Sequence, residues 1–484
     1  MTLPNFEDST VSDSEEYRIE EDLLGKVKVP ANVYYGAQTL RAVQNFDLSG
    51  VTLSHFSNLV CALAIVKHAA ADANAKLGYL TKKKHEAITY ACRQIMQGSY
   101  HDQFVVDMIQ GGAGTSTNMN ANEVIANIAL EYLGCQKGEY QYLNPNNDVN
   151  MAQSTNDAYP TAIRLGLLLG HDRLLHSLRR TIHAFKKKSR EFESVLKMGR
   201  TQLQDAVPMT LGQEFRAFAT TLEEDLNRFV HWAPQLLLDV NLGGTAIGTG
   251  INADPGYQAI AVRRLAELSG HPVRAAQDLI EATSDMGDFV LFSGMLKRTA
   301  AKLSKICNDL RLLSSGPRTG LNEINLPPRQ PGSSIMPGKV NPVVPEAVNQ
   351  VSFEIIGNDL AVTLAAEGGQ LQLNVMEPLI AYKLFDSTRL LQRALDMLCA
   401  LCIDGITANE EHCHKLVQNS IGLVTALNPY IGYQNSTRIA KKALETGRSV
   451  LDLVREEKLL DEKILQEILR PENMIAPRLF PVDK

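Results

Sequence analysis

Apolar residues recur along much of the chain at the spacing of an α-helix. The clearest series follows steps of four and three and consists of Phe292, Leu296, Thr299, Leu303, Ile306, Leu310 and Leu313. This is the heptad spacing of helices that pack in bundles. Similar patterns cover Pro160 to about Lys197, Thr210 to about Asp239, and Glu377 to about Cys402, and Pro234 is expected to interrupt the second of these. The pattern predicts an all-α, mainly helical protein with a long central helical bundle.

Interruptions of the helical pattern divide the chain into three predicted domains. Residues 1–155 are expected to mix short helices with loops, residues 156–405 to form the central bundle, and residues 406–484 to form a small C-terminal helical domain. The second boundary lies in the turn-prone stretch DGITANEE. Residues 1–16 are acidic and polar and are predicted to be a disordered tail. The central helices are so extensively apolar that we expect the protein to self-associate through them.

Composition excludes several classes of function. The 484 residues have a formal net charge of -6 and no basic block, which argues against a nucleic-acid partner. The longest apolar runs, such as LGLLL at 165–169, are far shorter than the ~20 residues that span a membrane. The N-terminal residues lack the basic start and apolar core of a secretory signal, so we predict a cytoplasmic protein.

Seven cysteines, an odd number, indicate reduced thiols in a reducing compartment. Cys399 and Cys402, together with His412, Cys413 and His414, superficially suggest a zinc site. The two histidines flank Cys413 too closely for zinc-finger spacing, and the C-x-x-C pair lies in the apolar pattern MLCALCI. We therefore favour buried structural thiols over a metal site.

Three polar loops before residue 220 offer candidate ligand-binding groups. QGGAGTSTNMN at 110–120 contains Thr115 among glycines that permit close approach of the backbone, and MGRTQLQDAVPMTLGQEF at 198–215 contains Thr201 and Gln202. AQSTNDAYP at 152–160 places Ser154, Thr155 and Asn156 before a long helix, where backbone amides and hydroxyls can bind an anion. Each loop has a structural alternative, because Ser154 or Asn156 could simply cap the helix.

The fourth loop, GSSIMPGKVNP at 332–342, is the most informative. Lys339 and Asn341 are suited to bind a carboxylate, and Ser333 and Ser334 lie beside them. The alternative is a structural turn that happens to contain a lysine. Together the four loops offer many anion-binding donors, but no set of metal ligands and no Ser/His/Asp grouping. This combination suggests a small dicarboxylate-like ligand.

The loop GSSIMPGKVNP resembles the signature of the fumarase and aspartase superfamily of lyases, and the other three loops match that superfamily in the expected order. The resemblance extends from about Tyr17 to near the C-terminus. Four segments are most similar in sequence to the members that act on aspartate: YRIEEDLLG, KGEYQYLNPN, NEINLP and KVNPVVPEAVNQV. The resemblance implies a three-domain helical homotetramer with a twenty-helix core, in which each active site combines loops from three subunits.

The reaction implied by the resemblance is the reversible anti-elimination of ammonia from L-aspartate to give fumarate, through an enediolate intermediate. Ser333 matches the catalytic base. By the same resemblance, the β-carboxylate is bound by Thr115, Ser154, Thr155 and Ser334, the α-carboxylate by Lys339 and Asn341, and the region of the amino group by Asn156, Thr201 and Gln202. No cofactor is expected to be required; activation by a divalent metal ion such as Mg²⁺ occurs in the family, but the sequence identifies no site for it.

Gln202 bears on the choice of substrate. Fumarases have His in the motif G-R-T-H, and loss of hydroxide needs an acid, whereas aspartate already has a protonated leaving group. Gln202 therefore favours elimination of an amine, with Glu346 expected to hydrogen-bond Gln202. Two alternatives remain at this point: a fumarase or another lyase of the same fold, and a catalytically silent structural protein on this scaffold.

Overall fold

The computed structural model describes residues 16–477, so most of the predicted N-terminal tail lies outside the described residues. The chain is 62% helical, with 17 α-helices and only small sheets in the described part. The prediction of an all-α fold is confirmed.

The α-helices are numbered in chain order. They are α1 (Ala37–Asn45), α2 (Ser57–Lys76), α3 (Lys82–Met96), α4 (Thr115–Tyr132), α5 (Thr155–Glu191), α6 (Leu211–His231), α7 (Ala233–Leu237), α8 (Tyr257–Ser269), α9 (Glu281–Ser284), α10 (Gly287–Leu313), α11 (Val343–Glu367), α12 (Glu377–Leu401), α13 (Glu410–Asn419), α14 (Val424–Thr446), α15 (Val450–Glu456), α16 (Glu462–Ile468) and α17 (Pro471–Met474).

The strands form four two-stranded sheets within the described residues. They are β1 (Tyr17–Asp22), β2 (Gly25–Pro30), β3 (Leu196–Thr201), β4 (Gln204–Thr210), β5 (Asp239–Val240), β6 (Arg274–Ala275), β7 (Ile324–Asn325) and β8 (Thr407–Ala408). β1 pairs with β2, β3 with β4 and β7 with β8 in antiparallel fashion, whereas β5 and β6 are parallel.

The chain divides into two compact units. Unit 1 contains the residues up to Leu174, Arg228–Lys297 and Ile355–Arg389, and unit 2 contains Leu175–Asn227, Arg298–Glu354 and the residues from Leu390 onward. The division falls inside α5, α6, α10, α11 and α12, so each of these helices contributes residues to both units. The three-domain organisation with boundaries after residues 155 and 405 stays a prediction.

The core of unit 1 is built around α2, which packs against α3, α4 and α8. α2 is buried on nearly all sides, and its sequence ALAIVKHAAA accordingly shows no single apolar stripe. Residues 1–155 were expected to mix short helices with loops, but α2 and α4 are 20 and 18 residues long. Such helices were missed because a helix that is buried on nearly all sides has no amphipathic periodicity.

Unit 2 contains a hydrophobic cluster that joins the β3–β4 hairpin to the C-terminal helices. Leu196 and Met198 of β3 belong to the same buried cluster as Leu427 of α14, Leu453 of α15 and Leu465 of α16. Burial of these apolar side chains, about 25 cal/mol per Å², is the main force that holds the hairpin against the helices.

The heptad series predicted from Phe292 to Leu313 is confirmed, because every position in it is buried on α10. The predicted interruption at Pro234 is confirmed as well: α6 ends at His231, and Pro234 lies in the first turn of α7. α12 matches the predicted helix to within a residue. The helix predicted to about Lys197 instead ends at Glu191, since the following residues enter β3.

Cys399, Cys402 and Cys413 are buried free thiols, as predicted. Burial raises the pKa of Cys402 to about 12, so this thiol stays protonated at neutral pH. Over residues 16–477, none of the helices combines the length and apolar character needed to cross a membrane.

Candidate functional site

The first predicted loop ends in the N-terminus of α4. Gly112, Ala113 and Gly114 all have positive φ values (89°, 55° and 86°), and the helix begins at Thr115. The Thr115 hydroxyl is exposed and donates to the Gly112 carbonyl at 2.7 Å. The N–H groups of Thr115 and Thr117 already donate to the Gly112 carbonyl and to Gln110 Oε1, both at 3.0 Å. Within residues 16–477, the N–H of Ser116 is the one in this turn that remains for an anion, beside the exposed hydroxyl.

Gly114 is required by both its backbone and its surroundings. A Cβ at this position would lie 2.2 Å from the Tyr159 ring, and φ is +86°. We expect Gly114→Ala to lower the free energy of unfolding by roughly 2–5 kcal/mol, measured by denaturant titration. Gly78 is a matched control, because it has the same φ of +86° with nothing within 4 Å of its Cβ position. Gly78→Ala should show the backbone cost alone; equal losses in the two variants would contradict the packing argument.

The second predicted loop leads into α5, which begins at Thr155. The Ser154 Oγ accepts the Asn156 N–H at 3.2 Å, so Ser154 does cap the helix, whereas the Asn156 side chain donates to the Ala246 carbonyl at 2.7 Å. No hydrogen bond of the Thr155 hydroxyl is found in the part of the chain that the structure describes. Thr155 is the group in this loop that is best placed to donate to a ligand.

Residues 241–252, with the sequence NLGGTAIGTGIN, form a further loop against the second one that the sequence analysis missed. Asn241 donates to the Asn156 carbonyl at 2.9 Å. Asp157 accepts the N–H groups of Gly243 and Thr245, both at 3.0 Å, and the N–H of Ser154 at 2.9 Å. Burial raises the pKa of Asp157 to about 6 in spite of these donors. Four glycines within residues 243–250 were the available signal for this loop.

A buried lysine joins the first and second loops. Lys67 of α2 is fully buried, and its ammonium donates to the amide oxygens of Asn118 (2.6 Å), Asn150 (2.9 Å) and Gln153 (2.9 Å). Burial lowers the pKa of Lys67 to about 7, while the charge of Asp157 opposes this shift. Asn118 lies in the first turn of α4 and Gln153 immediately precedes Ser154. Lys67 therefore brings these two predicted ligand loops together within unit 1.

The third predicted loop is a β-hairpin in unit 2. β3 and β4 are connected by a two-residue turn in which Gln202 and Leu203 have φ values of 56° and 62°. Positive φ at both turn positions matches the right-handed twist of a hairpin, but such turns normally contain Asn and Gly. Thr201 and Gln202 are exposed at the tip.

The fourth loop, residues 332–342, is closed on itself at its base. The Gly332 N–H donates to the Lys339 carbonyl at 2.7 Å, and the Asn341 side chain donates to the Gly332 carbonyl at 2.8 Å. Gly332 must be a glycine, because a Cβ there would lie 2.4 Å from the Lys339 carbonyl oxygen. These contacts present residues 333–340 as one exposed loop.

Within this loop the Ser333 hydroxyl lies at the centre of a small turn. Its Oγ accepts the N–H groups of Ile335 and Met336, both at 3.2 Å. Donors aimed at a hydroxyl oxygen favour its deprotonated form. Lys339 and Ser334 are exposed on the same loop.

Glu346 lies in the first turn of α11 and is half-buried. No hydrogen bond joins it to Gln202 within residues 16–477, so that pairing stays a prediction. In the same residues, no group of three or more His, Cys, Asp or Glu side chains has the arrangement of a metal site.

Comparison with known proteins places these loops in a family. A model described as "Lyase" matches residues 25–357, and one described as "Fumarase C C-terminus" matches residues 423–476. The chain belongs to the fumarase/aspartase superfamily of lyases. All four predicted loops fall within the first of these two matches, and the C-terminal helices α14–α17 lie within the second.

Relatives in the superfamily are similar over nearly the whole chain. Aspartate ammonia-lyase from Pseudomonas aeruginosa is 78% identical over 96% of this chain and 98% of the relative. Aspartate ammonia-lyase from Escherichia coli is 56% identical over 96% of this chain and 97% of the relative. The expectation of a lyase of this superfamily is confirmed.

Solved structures in the superfamily agree with the fold. A fumarate lyase:delta crystallin from Brucella melitensis bound to cobalt is 57% identical, with a TM-score of 0.92 over 96% of this chain and 100% of that chain. A class II fumarase from Schistosoma mansoni is 35% identical, with a TM-score of 0.89 over 97% of this chain and 100% of that chain.

Proposed function

We propose that the protein catalyses the reversible elimination of ammonia from L-aspartate to give fumarate, with Ser333 as the base. The observation that supports this most directly is the pair of backbone N–H groups, from Ile335 and Met336, that point at the Ser333 Oγ. The names of the relatives that are 78% and 56% identical support the choice of aspartate.

The difficult step is removal of a proton from C3 of aspartate, next to a carboxylate that is already ionised. Ser333 in its deprotonated form takes this proton and becomes a neutral hydroxyl, and the electron pair left behind spreads into the β-carboxylate to form a dianionic enediolate. Donors aimed at the β-carboxylate stabilise that charge, which is the largest catalytic contribution in such reactions. Thr115, Ser154, Thr155 and Ser334 are assigned to this role. The three residues from unit 1, Thr115, Ser154 and Thr155, lie in or beside the first turns of α4 and α5. Backbone N–H groups at these helix starts provide further donors beside the hydroxyls.

The remaining ligands orient the substrate. Lys339 provides the positive charge for the α-carboxylate. The Asn341 side chain donates to the Gly332 carbonyl in this loop, so its predicted contact with the α-carboxylate would add to a structural role at the base of the loop. Asn156, Thr201 and Gln202 surround the amino group.

Gln202 favours ammonia over water as the leaving group. A glutamine cannot act as a general acid, and the ammonium of aspartate needs none because it leaves as neutral ammonia once the C–N bond breaks. A histidine at this position would suit a hydroxide leaving group, as the fumarase alternative requires.

The experiment that tests the proposal is turnover by the purified protein. We expect release of ammonia from L-aspartate together with the rise in ultraviolet absorbance of fumarate, and no turnover of L-malate. Turnover of malate with aspartate inert would identify a fumarase instead. A protein that turns over neither compound and binds no dicarboxylate would support the silent structural alternative.

We also propose that the protein is a cytoplasmic homotetramer whose active sites combine loops of three subunits, with no required cofactor. Support comes from α11, where Phe353, Ile356, Leu360 and Leu364 follow one face and are 38–61% exposed. Such an apolar face is normally covered by another subunit. Sedimentation analysis should give about four times the chain mass of 53.3 kDa, and a mass of one chain would contradict the proposal.

A further inference from the structure

Glu323 is a buried carboxylate between two cations of strand β3. Arg200 Nη1 donates to Glu323 Oε1 at 2.6 Å, and Lys197 Nζ lies 2.8 Å from Glu323 Oε2. The Glu323 side chain is 0% exposed and that of Lys197 is 3% exposed. A buried ion pair with this geometry is sensitive to loss of either partner, because the remaining charge is left without compensation.

The backbone of Glu323 is fixed by its neighbours in unit 2. Its N–H donates to the carbonyl of Leu313, the last residue of α10, at 2.8 Å, and its carbonyl accepts the N–H of Asn409 at 2.9 Å. The carboxylate therefore extends from a rigid segment to β3. Arg200, which it contacts, immediately precedes Thr201.

The turn that follows is one that its own residues disfavour. Gln202 and Leu203 both have positive φ without being Asn or Gly, and a left-handed conformation costs roughly 1–2 kcal/mol per such residue. The register of the hairpin also shifts between Met198 and Arg200. Conformations of this kind persist only when the surroundings impose them, and they are concentrated at ligand sites. Glu323 fixes β3, and on β4 the Ser420 hydroxyl donates to Asp205 at 2.7 Å.

The charges give Glu323 a second effect on the turn. Lys197 also forms an ion pair with Glu214 at 2.5 Å, so two carboxylates balance the two cations. Without the charge of Glu323, one uncompensated positive charge would remain at the end of β3. That charge would repel a substrate ammonium near Thr201, whereas it would attract a ligand that has carboxylates and no amino group.

We propose that Glu323 is a positioning residue for the amino-group subsite: it contacts no substrate, but its ion pairs with Lys197 and Arg200 set the place of Thr201 and Gln202. This inference rests on the proposed function, in which these two residues contact the amino group of aspartate. Glu323 thereby acts on recognition of the amino group and not on recognition of the two carboxylates.

The test compares a ligand that has the amino group with one that lacks it. Glu323→Gln should raise KM for L-aspartate by about 10- to 100-fold, since a displacement on the order of 1 Å in a site has effects of this size. The inhibition constant of succinate, a dicarboxylate without an amino group, should rise by no more than about twofold and can fall, because the remaining positive charge attracts carboxylates. In the reverse direction, KM for ammonium should rise and KM for fumarate should not.

Asp225 provides a matched control. Its side chain is 2% exposed and forms ion pairs with Arg298 and Lys302, which belong to α10 in unit 2 and not to the hairpin. Asp225→Asn removes a buried carboxylate charge in the same way, and it should leave the ratio of KM for aspartate to the inhibition constant of succinate unchanged.

Several outcomes would overturn the role of Glu323. One is that Glu323→Gln raises KM for aspartate and the inhibition constant of succinate equally, and another is that it raises neither. The third is that Asp225→Asn raises KM for aspartate without raising the inhibition constant of succinate. If Glu323→Gln does not fold, Arg200→Lys keeps the charge and removes the guanidinium contact. It should raise KM for aspartate by a smaller factor and leave the inhibition constant of succinate without an increase; equal increases in the two constants would overturn the proposal. A wild-type protein inactive on aspartate would instead overturn the proposed function itself.

Discussion

Ser333→Ala should lower kcat for deamination of L-aspartate by roughly 100- to 10,000-fold, the range expected when a catalytic base is lost. The methyl group cannot accept the C3 proton, and the N–H groups of Ile335 and Met336 lose their acceptor. The oligomer and the affinity for succinate should be unchanged, because the groups assigned to the carboxylates remain. Ammonia release, sedimentation and succinate inhibition measure these three expectations.

Ser334 is the control for this prediction, since it is the neighbouring serine in the same exposed loop. Ser334→Ala should raise KM with a much smaller loss of kcat, because its assigned role is to bind the β-carboxylate. If Ser334→Ala abolished turnover while Ser333→Ala retained it, the base would have to be reassigned.

Lys67→Met should lower the free energy of unfolding by roughly 2–6 kcal/mol, because it leaves two buried amide oxygens without a donor, at about 1–3 kcal/mol each. Asn118 and Gln153 each lose the ammonium donor, while Asn150 still accepts the Asn118 side-chain amide. Turnover should fall as well, since the first and second loops lose their common contact. Denaturant titration and the aspartate assay measure the two effects.

The unfolding free energy lost in Lys67→Met should increase with pH. Burial lowers the pKa of Lys67 from its ordinary value of 10.5 to about 7, so between these values the unfolded chain binds the proton more tightly than the folded chain. This group therefore makes wild-type stability rise with pH across that window, and Lys67→Met lacks this contribution. The difference in unfolding free energy between wild type and variant should grow from pH 7 toward pH 10.

Lys82→Met is the control for the same chemical change at the surface, because the Lys82 side chain is 89% exposed. It should change stability by no more than about 0.5 kcal/mol. Equal stability of Lys67→Met and Lys82→Met would show that Lys67 does not hold the two loops together.

Much of the fold could be predicted from periodicity, and the exceptions have physical causes. The seam from Phe292 to Leu313 was readable because one face of α10 is buried and the other is not. α2 could not be recognised as a long helix because nearly all its faces are buried. β3 and β4 were missed because the apolar alternation of β3 ends at Gly199 and β4 contains Pro208, which is rare inside strands.

In the candidate site, the loops could be identified from local sequence, but the residues that hold them in place could not. The local sequence identified the loops with Ser154 and Ser333, whereas the long helix predicted from Pro160 begins earlier, at Thr155. The partners that hold those loops were not predictable, because they are distant in sequence: Lys67 lies 86 residues from Gln153, and Glu323 lies 123 residues from Arg200. A charged residue inside the apolar run ALAIVKHAAA was the one available sign of Lys67.

The hydrogen bonds at the base of the 332–342 loop have a consequence for the entropy of ligand binding. Ordering a flexible loop costs about 1–2 kcal/mol per residue, which for this loop would exceed what a small dicarboxylate supplies on binding. The contacts between Gly332, Lys339 and Asn341 already restrict the chain before any ligand arrives. Any movement of the loop over a ligand is then a hinge motion of one body, and most of the ordering has occurred during folding.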